Sequence, residues 1–347
     1  MKRNIFKKVT AMVVAAGMAI ALAACGGGKQ ETGLTSGLET KKLSLGAARD
    51  TQLAPIIMCA IEKGYFKEQG LDVELTLFAS GGDLTAAVAS GDIQLGSAGD
   101  TPTTALLTSD YGKFEFIART TNLGGALALV TSEDIQTPQD LEGRTIGYAA
   151  GNTSEALWQA LVATTGIDES KVNLVALGAA DMLSAYETGD IEGFVIWEPT
   201  VTNGVKLGAH RLLTGSKSYF NGVEEDFDCL NSYALLSGNK EWIEKNPNTV
   251  VAVLTAMNDA CEWLNGNMGE GAEIVSKWLE LDYEDCLGMM QRNEYGLSVD
   301  DRTMDDLKAS AEFLYGGEKI PFVPEFREVY DGSYLEKIDA SLNGVTK

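Results

Sequence analysis

Histidine is almost absent from this chain of 347 residues, where His210 stands alone. The motifs H-E-x-x-H, G-x-S-x-G, G-x-x-x-x-G-K-[ST] and G-x-G-x-x-G are missing too, so zincin sites, hydrolase triads and nucleotide loops lack their parts. His210, beside Arg211 and just before a strand, reads as solvent-facing. Cations are scarce: 27 Lys and Arg face 50 Asp and Glu, a net charge of −23, which argues against nucleic acid or an anionic membrane surface as a partner. Cysteine is sparse and forms no C-x-x-C pair. Cys59, Cys229, Cys261 and Cys286 read as small core residues, although export would permit disulfides whose pairing spacing cannot decide. The apolar run at residues 9–22 is too short for a comfortable membrane span. Nothing in the sequence calls for a metal or a cofactor.

What the chain does have is 45% apolar residues and a length beyond one ordinary domain, so two domains are expected. Residues 1–25 stand apart from them. Lys2, Arg3, Lys7 and Lys8 make a basic start, an apolar stretch follows, and Leu22-Ala23-Ala24 leads into Cys25, the layout of a secretory signal. That ending resembles the lipobox of bacterial lipoproteins. The resemblance implies a diacylglycerol on Cys25, removal of the residues before it, and an extracytoplasmic protein anchored to the membrane by lipid. Residues 26–42 are rich in Gly, Ser and Thr and read as a flexible tether, with the folded body starting near Leu43.

From Leu43 strand and helix patterns alternate. LSLGA reads as a strand, Pro55 suits the first turn of a helix that Gly64 stops, and DVELTLF is a second strand. SGGDLTAAVASG gives a helix ended by Gly91, DIQLGSAG a strand, and TPTTALLTS a helix with Pro102 in its first turn. This order implies a mostly parallel sheet. The pattern recurs in GRTIGYAAG, NTSEALWQALVATTG, VNLVAL, AADMLSAYETG and DIEGFVIW, with Pro199 near the next helix start. Two stretches even share their opening words: GDIQLGSAGDTPT at residues 91–103 and GDIEGFVIWEPT at residues 189–200. Each is a glycine cap, a strand, a loop and a proline-started helix. Each ends at the carboxyl edge of a strand, where open α/β sheets bind ligands, and two such edges facing one another make a cleft.

The leader together with GYFKEQGLDVEL, ASGDIQLGSAGDTPTTAL, DLEGRTIGY, AYETGDIEGFVIWEP and NPNTVVAVLTAMNDACEWL resembles the binding-protein receptors of ABC importers. The likeness is to the group for aliphatic sulfonates, taurine, nitrate and thiamine-pyrimidine precursors. It implies an α/β, two-lobed, hinged periplasmic-binding-protein-like type II fold with two chain crossings. Lobe one would hold residues 43–130 and 231–347, lobe two residues 131–230, with crossings at GGALALV and NSYALLS. It implies a monomeric receptor that takes a small polar solute and hands it to an ABC permease with its ATPase, without chemistry of its own. The same fold resembles pyrimidine synthases that consume an active-site histidine, but His210 lies outside the strand-end loops. A clam-shaped lipoprotein serving adhesion or signalling stays open.

Candidate binding residues sit at the strand ends. Arg49, Asp50 and Gln52 follow the first strand, and an arginine suits paired hydrogen bonds to an oxyanion. Ser80, Gly81 and Gly82 open a helix, as do Asn152, Thr153 and Ser154, where backbone amides favour negative charge. They also serve as plain helix caps. Asp100 and Thr101 match Trp197 and Glu198 in the two echoing stretches; the carboxylates suit a cation or donor, and Trp197 offers an aromatic face. Asn122 and Asn231 lie near the crossings. Trp158, Trp242, Trp263 and Trp278 fall in amphipathic helices and read as core. Both signs of charge point to a small zwitterion or substituted sulfonate, with a heteroaromatic stacked on Trp197 as the rival; nitrate would leave the acids unexplained.

Overall fold

The computed structural model describes residues 37–346; Cys25, the leader and residues 26–36 of the tether lie outside them. The described chain is tied to the fold ahead of Leu43. Glu39 accepts hydrogen bonds from the amides of Asn248 and Thr249 and from the Thr249 hydroxyl, so a carboxylate caps a helix start and pins the chain from residue 37 onward.

The chain first forms β1 (Lys42–Ala48), α1 (Pro55–Lys63), α2 (Tyr65–Glu68), β2 (Asp72–Phe78), α3 (Gly81–Ser90), β3 (Leu95–Gly99), α4 (Asp100–Ser109) and β4 (Phe114–Asn122). It next forms β5 (Leu127–Thr131), β6 (Thr145–Tyr148), α5 (Thr153–Thr165), β7 (Asn173–Ala176), α6 (Ala179–Thr188), β8 (Gly193–Trp197), α7 (Thr200–Lys206), β9 (His210–Thr214), β10 (Lys217–Ser218) and β11 (Glu225–Asp226). It returns through β12 (Tyr233–Asn239), α8 (Lys240–Lys245), α9 (Pro247–Gly266), α10 (Met268–Leu279), α11 (Tyr283–Met290), β13 (Glu294–Tyr295) and α12 (Asp301–Gly316).

Two sheets result. The first runs β13-β4-β12-β3-β1-β2, the second β11-β10-β9-β5-β8-β6-β7. In each, three strands from a β-α-β-α-β run pair in parallel: β2, β1 and β3 in one, β7, β6 and β8 in the other. Beside that trio lies an antiparallel strand, β12 in the first sheet and β5 in the second. The echoing stretches therefore build the same strand of the same motif in each sheet, β3 and β8. Gly91 and Gly189 close the preceding helices with φ of 88° and 78°, left-handed values that glycine takes at no steric cost.

Buried side chains divide in the same way. Leu45, Leu95, Phe116 and Leu235 pack with Ile57 and Leu254 around the first sheet. Leu129, Ile146 and Trp158 cover one face of the second sheet, and Val130, Met182 and Phe194 the other. Trp242, Trp263 and Trp278 pack partly buried against the first core, as their helix positions imply. Cys59, Cys229, Cys261 and Cys286 are free thiols, and burial pushes Cys59 and Cys261 up to about 12, so they stay protonated and inert.

The chain passes between the sheets at residues 123–126, earlier than the boundary at residue 130 drawn from sequence, because β5 pairs with β8 and β9 along its whole length. The two crossings run side by side. Leu123 donates to the Ser232 carbonyl at 2.7 Å, and the Asn122 side chain donates to the Asn231 side chain at 3.3 Å. Beside them the packing is tight, since a β-carbon on Gly215 would lie 2.2 Å from the Leu230 carbonyl oxygen and 2.8 Å from that of Gly124. Gly215→Ala is expected to cost about 1–3 kcal/mol, seen as a lower melting temperature, since backbone on both sides must give way. His210 differs from expectation: it opens β9 opposite Thr131, and both ring nitrogens are buried rather than facing water.

Candidate functional site

A cavity of about 570 Å³ lies between the carboxyl edges of β3 and β8. Ten of the residues proposed from sequence line it: Asp50, Gln52, Ser80, Gly81, Gly82, Asp100, Thr101, Asn152, Thr153 and Trp197. They come from both sheets. Strand-to-helix turns put them there, since a parallel strand must end before its crossover helix begins, and the open helix start faces the space beyond the sheet.

Two of those starts supply donors. Ser80 caps α3 by accepting from the Asp83 amide at 3.1 Å, and Asn152 caps α5 by accepting from the Ser154 amide at 2.9 Å. That leaves the first-turn amides of Gly81, Gly82 and Thr153 with no intrahelical acceptor, at the positive end of a 10-residue and a 13-residue helix. Close packing fixes the first of these, because a β-carbon on Gly81 would meet Pro102 at 2.7 Å. The start of α4 behaves differently: the Thr101 amide is already taken by the Asp100 carboxylate at 2.7 Å, and Pro102 has no N–H. This third start presents a carboxylate instead of donors.

Asp50 and Asp100 are the charged side chains of the cavity; among the described residues no lysine, arginine or histidine lines it. Asp50 accepts from the amides of Gln52 and Leu53 at 2.9 and 2.7 Å. Asp100, 2% exposed, also accepts from the Ser232 hydroxyl at 3.1 Å. Burial nevertheless wins in both, pushing each carboxyl up to about 6 against these hydrogen bonds. Leu53, Leu123, Leu127, Pro102 and several alanines make the rest of the wall apolar, and Trp197 stands 38% exposed at its edge.

The other five proposed residues lie elsewhere, each for a definite reason. Arg49 points outward and donates to the Leu279 carbonyl. Ser154 is fully buried, accepting from the Ala149 amide and donating to the Val195 carbonyl at 2.6 Å, and so bolts α5 onto β8. Glu198 is 1% exposed beneath the cavity wall, held by Arg211 and Arg292 at 3.2 Å each. Asn122 joins the crossing chains to each other, and Asn231 joins them while also lining a small adjacent chamber. The sequence reading missed Ser232 and the apolar wall. Small residues such as Ala48, Ala79 and Ala126 carry no motif; only the strand edge they share marks them.

Over residues 50–267, well over half of its length, the chain matches the family described as NMT1/THI5 like. The chain belongs to that family. Across 64% of its length it is 28% identical to the taurine-binding periplasmic protein of Escherichia coli, covering 67% of that protein. Among solved structures it is similar to the periplasmic aliphatic sulphonate binding protein of Escherichia coli, with a TM-score of 0.70 at 16% identity, covering 84% of this chain and 92% of that one. The periplasmic nitrate-binding protein of Synechocystis follows at a TM-score of 0.63 and 18% identity, covering 88% and 90%. At those identities the likeness establishes the periplasmic-binding-protein fold for this family member.

Proposed function

We propose that this protein is the extracytoplasmic receptor of an ABC importer, capturing a small zwitterion of the aminosulfonate type and passing it, unreacted, to a permease driven by its ATPase. The observation that carries this reading is one cavity faced by donor-bearing helix starts from both sheets and by two carboxylates, with no basic side chain among the described residues that line it. An oxyanion at α3 and α5 gains about 0.5–2 kcal/mol from each helix start, far short of the roughly 8 kcal/mol of micromolar binding. An ammonium group held by Asp50 and Asp100 adds about 1.5–3 kcal/mol for each charged hydrogen bond. Both ends of the solute are needed.

Net charge supports the same choice. A chain carrying −23 repels a bare oxyanion at long range, whereas a zwitterion approaches without that penalty. A solute that touches α3 on one side and α5 and Trp197 on the other favours the closed arrangement to the extent that it binds that arrangement better, which gives an importer a state to recognise. Cys25, ending the basic and apolar leader, carries the lipid anchor in this reading, and the receptor acts as a monomer. A second reading rests on Trp197 and its apolar neighbours: a neutral heteroaromatic stacked on the indole, with its N–H groups donating to Asp50 and Asp100.

Melting the purified full-length chain against taurine, other sulfonates, nitrate, amino acids and pyrimidines tests both, because a ligand of the native state raises the melting temperature. A selective rise with an aminosulfonate is expected. A rise with pyrimidines alone transfers the assignment to the second reading, and no rise even after unfolding and refolding to strip bound solute refutes both. Mass spectrometry of the incubated solute should find it unchanged; conversion to product would make the protein an enzyme. Trp197→Ala should weaken binding of the active compound about tenfold while the empty protein melts as before, since an edge indole adds contact area without filling the core.

A further inference from the structure

Behind Asp100 lies a second, smaller chamber of about 180 Å³. It shares Asp100, Thr153 and Ser232 with the main cavity, so those side chains are the partition between the two. Its far wall is Ala309, Ser310 and Phe313 of α12, opposite Ala156 of α5. Helix α12 lies beyond the segment, residues 50–267, over which the chain matches its family. This wall is therefore supplied by a part of the chain that the family match leaves out.

The chamber has the chemistry of one end of a ligand. Ser310 faces the Asp100 carboxylate from the α12 side, where it works against the effect of burial, while Ser232, which borders both spaces, donates to the same carboxylate. Asp100 is thus approached by two hydroxyls, one of them contributed by the α12 chamber alone. Phe313, half-buried against the first core, adds an aromatic surface of the kind that attracts an ammonium group. The amide donors at the start of α3 belong to the main cavity alone, whereas Thr153 at the start of α5 borders both spaces.

We propose that the α12 chamber is a subsite for the amine-bearing end of the solute, and that Ser310 and Phe313 set the length of solute accepted. The inference rests on the zwitterion reading above. It makes the preferred solute longer than the two-carbon taurine: the oxyanion stays at the starts of α3 and α5, the chain passes Asp100, and the ammonium group sits between Asp100, Ser310 and the Phe313 ring.

Calorimetric titration of the full-length chain with taurine, homotaurine and aminobutanesulfonate tests this. The wild type should bind the longer homologues more tightly than taurine. Ala309 is exposed, so Ala309→Trp plugs the chamber from outside without disturbing the core; it should weaken the longer compounds about tenfold and leave taurine unchanged. Phe313→Ala should also erode the preference for length, by removing the ring that meets the ammonium group, and melting of each empty variant reports whether it folds. If Ala309→Trp folds and weakens all three compounds equally, or none, the chamber is not a subsite, although the zwitterion reading survives. If the wild type binds none of the three, the zwitterion reading fails and this inference with it.

Discussion

Replacing Glu198 by alanine is expected to cost about 3–5 kcal/mol of stability, seen as a large fall in the denaturant midpoint. The Glu198 side chain is fully buried and meets two guanidinium groups, of which Arg211 is 15% and Arg292 26% exposed. Arg211 belongs to β9 of the second sheet, whereas Arg292 follows α11 on the first, so a single carboxylate joins the two halves of the molecule. Glu198 also caps the first turn of α7 through the Thr202 amide at 2.9 Å. Removing it strands two partly buried cations facing one another and leaves an amide without its acceptor. Burial, followed by the neighbouring Arg211, already lowers the proton affinity of the Arg292 guanidinium, which shows how little solvent relief is at hand.

Magnitude separates this contact from its neighbour. Lys206 and Asp285 also pair between the halves, but Lys206 is 55% exposed, and such pairs contribute about 0–1 kcal/mol. Lys206→Ala should therefore hardly move the midpoint, and salt should weaken that pair far more than the Glu198 cluster. Glu198→Gln keeps an acceptor for Thr202 but not the charge, and should fall between wild type and alanine. A midpoint for Glu198→Ala within about 1 kcal/mol of wild type would mean that both arginines find water and that Glu198 holds nothing together.

The same residue marks the limit of what the sequence discloses. Strand ends, glycine caps and proline-started helices were legible because each is a local signal, and the two echoing stretches do form equivalent strands. Direction was not legible. Successive residues leaving a strand turn to opposite sides, so Trp197 faces the cavity while Glu198 beside it turns into the protein, and Asp50 faces the cavity while Arg49 points away. An arginine next to a strand end looks like an anion clamp until the chain's path past it is known. The partners that decide such cases lie far along the sequence in segments with no motif: Leu279 ends α10 and holds Arg49, and Arg292 follows α11 and holds Glu198. The insertion of β5 and β12 as antiparallel strands was equally hidden, since alternation of strand and helix reports the parallel trio and not the strand that joins it later.

Asp100→Asn is expected to pull stability and binding in opposite directions. In the folded protein burial raises this carboxyl to about 6, whereas an unfolded aspartate titrates near 3.9. The native state therefore holds its proton more tightly, and the stability linked to that proton is fully present below pH 4 and lost as pH rises through 6. At pH 7.5 the empty wild type bears the cost of a buried, unpaired charge. Asparagine keeps an acceptor for Ser232 and Thr101 without the charge, so the empty variant should be more stable than wild type by roughly 1–3 kcal/mol at pH 7.5 and no different at pH 4. Binding should show the reverse. An ammonium-bearing solute needs the ionised carboxylate, so wild-type affinity should fall by up to about tenfold per unit as pH drops below 6, whereas the variant should bind at least about thirtyfold more weakly at pH 7.5 with a flatter pH profile. Melting curves and titrations at pH 4, 6 and 7.5 read both effects on the same samples. If the variant binds an aminosulfonate as well as wild type does, Asp100 does not hold the cation. If it also gains no stability at pH 7.5, its carboxylate already has a counterion within the fold, and the cavity was never built to receive a positive charge.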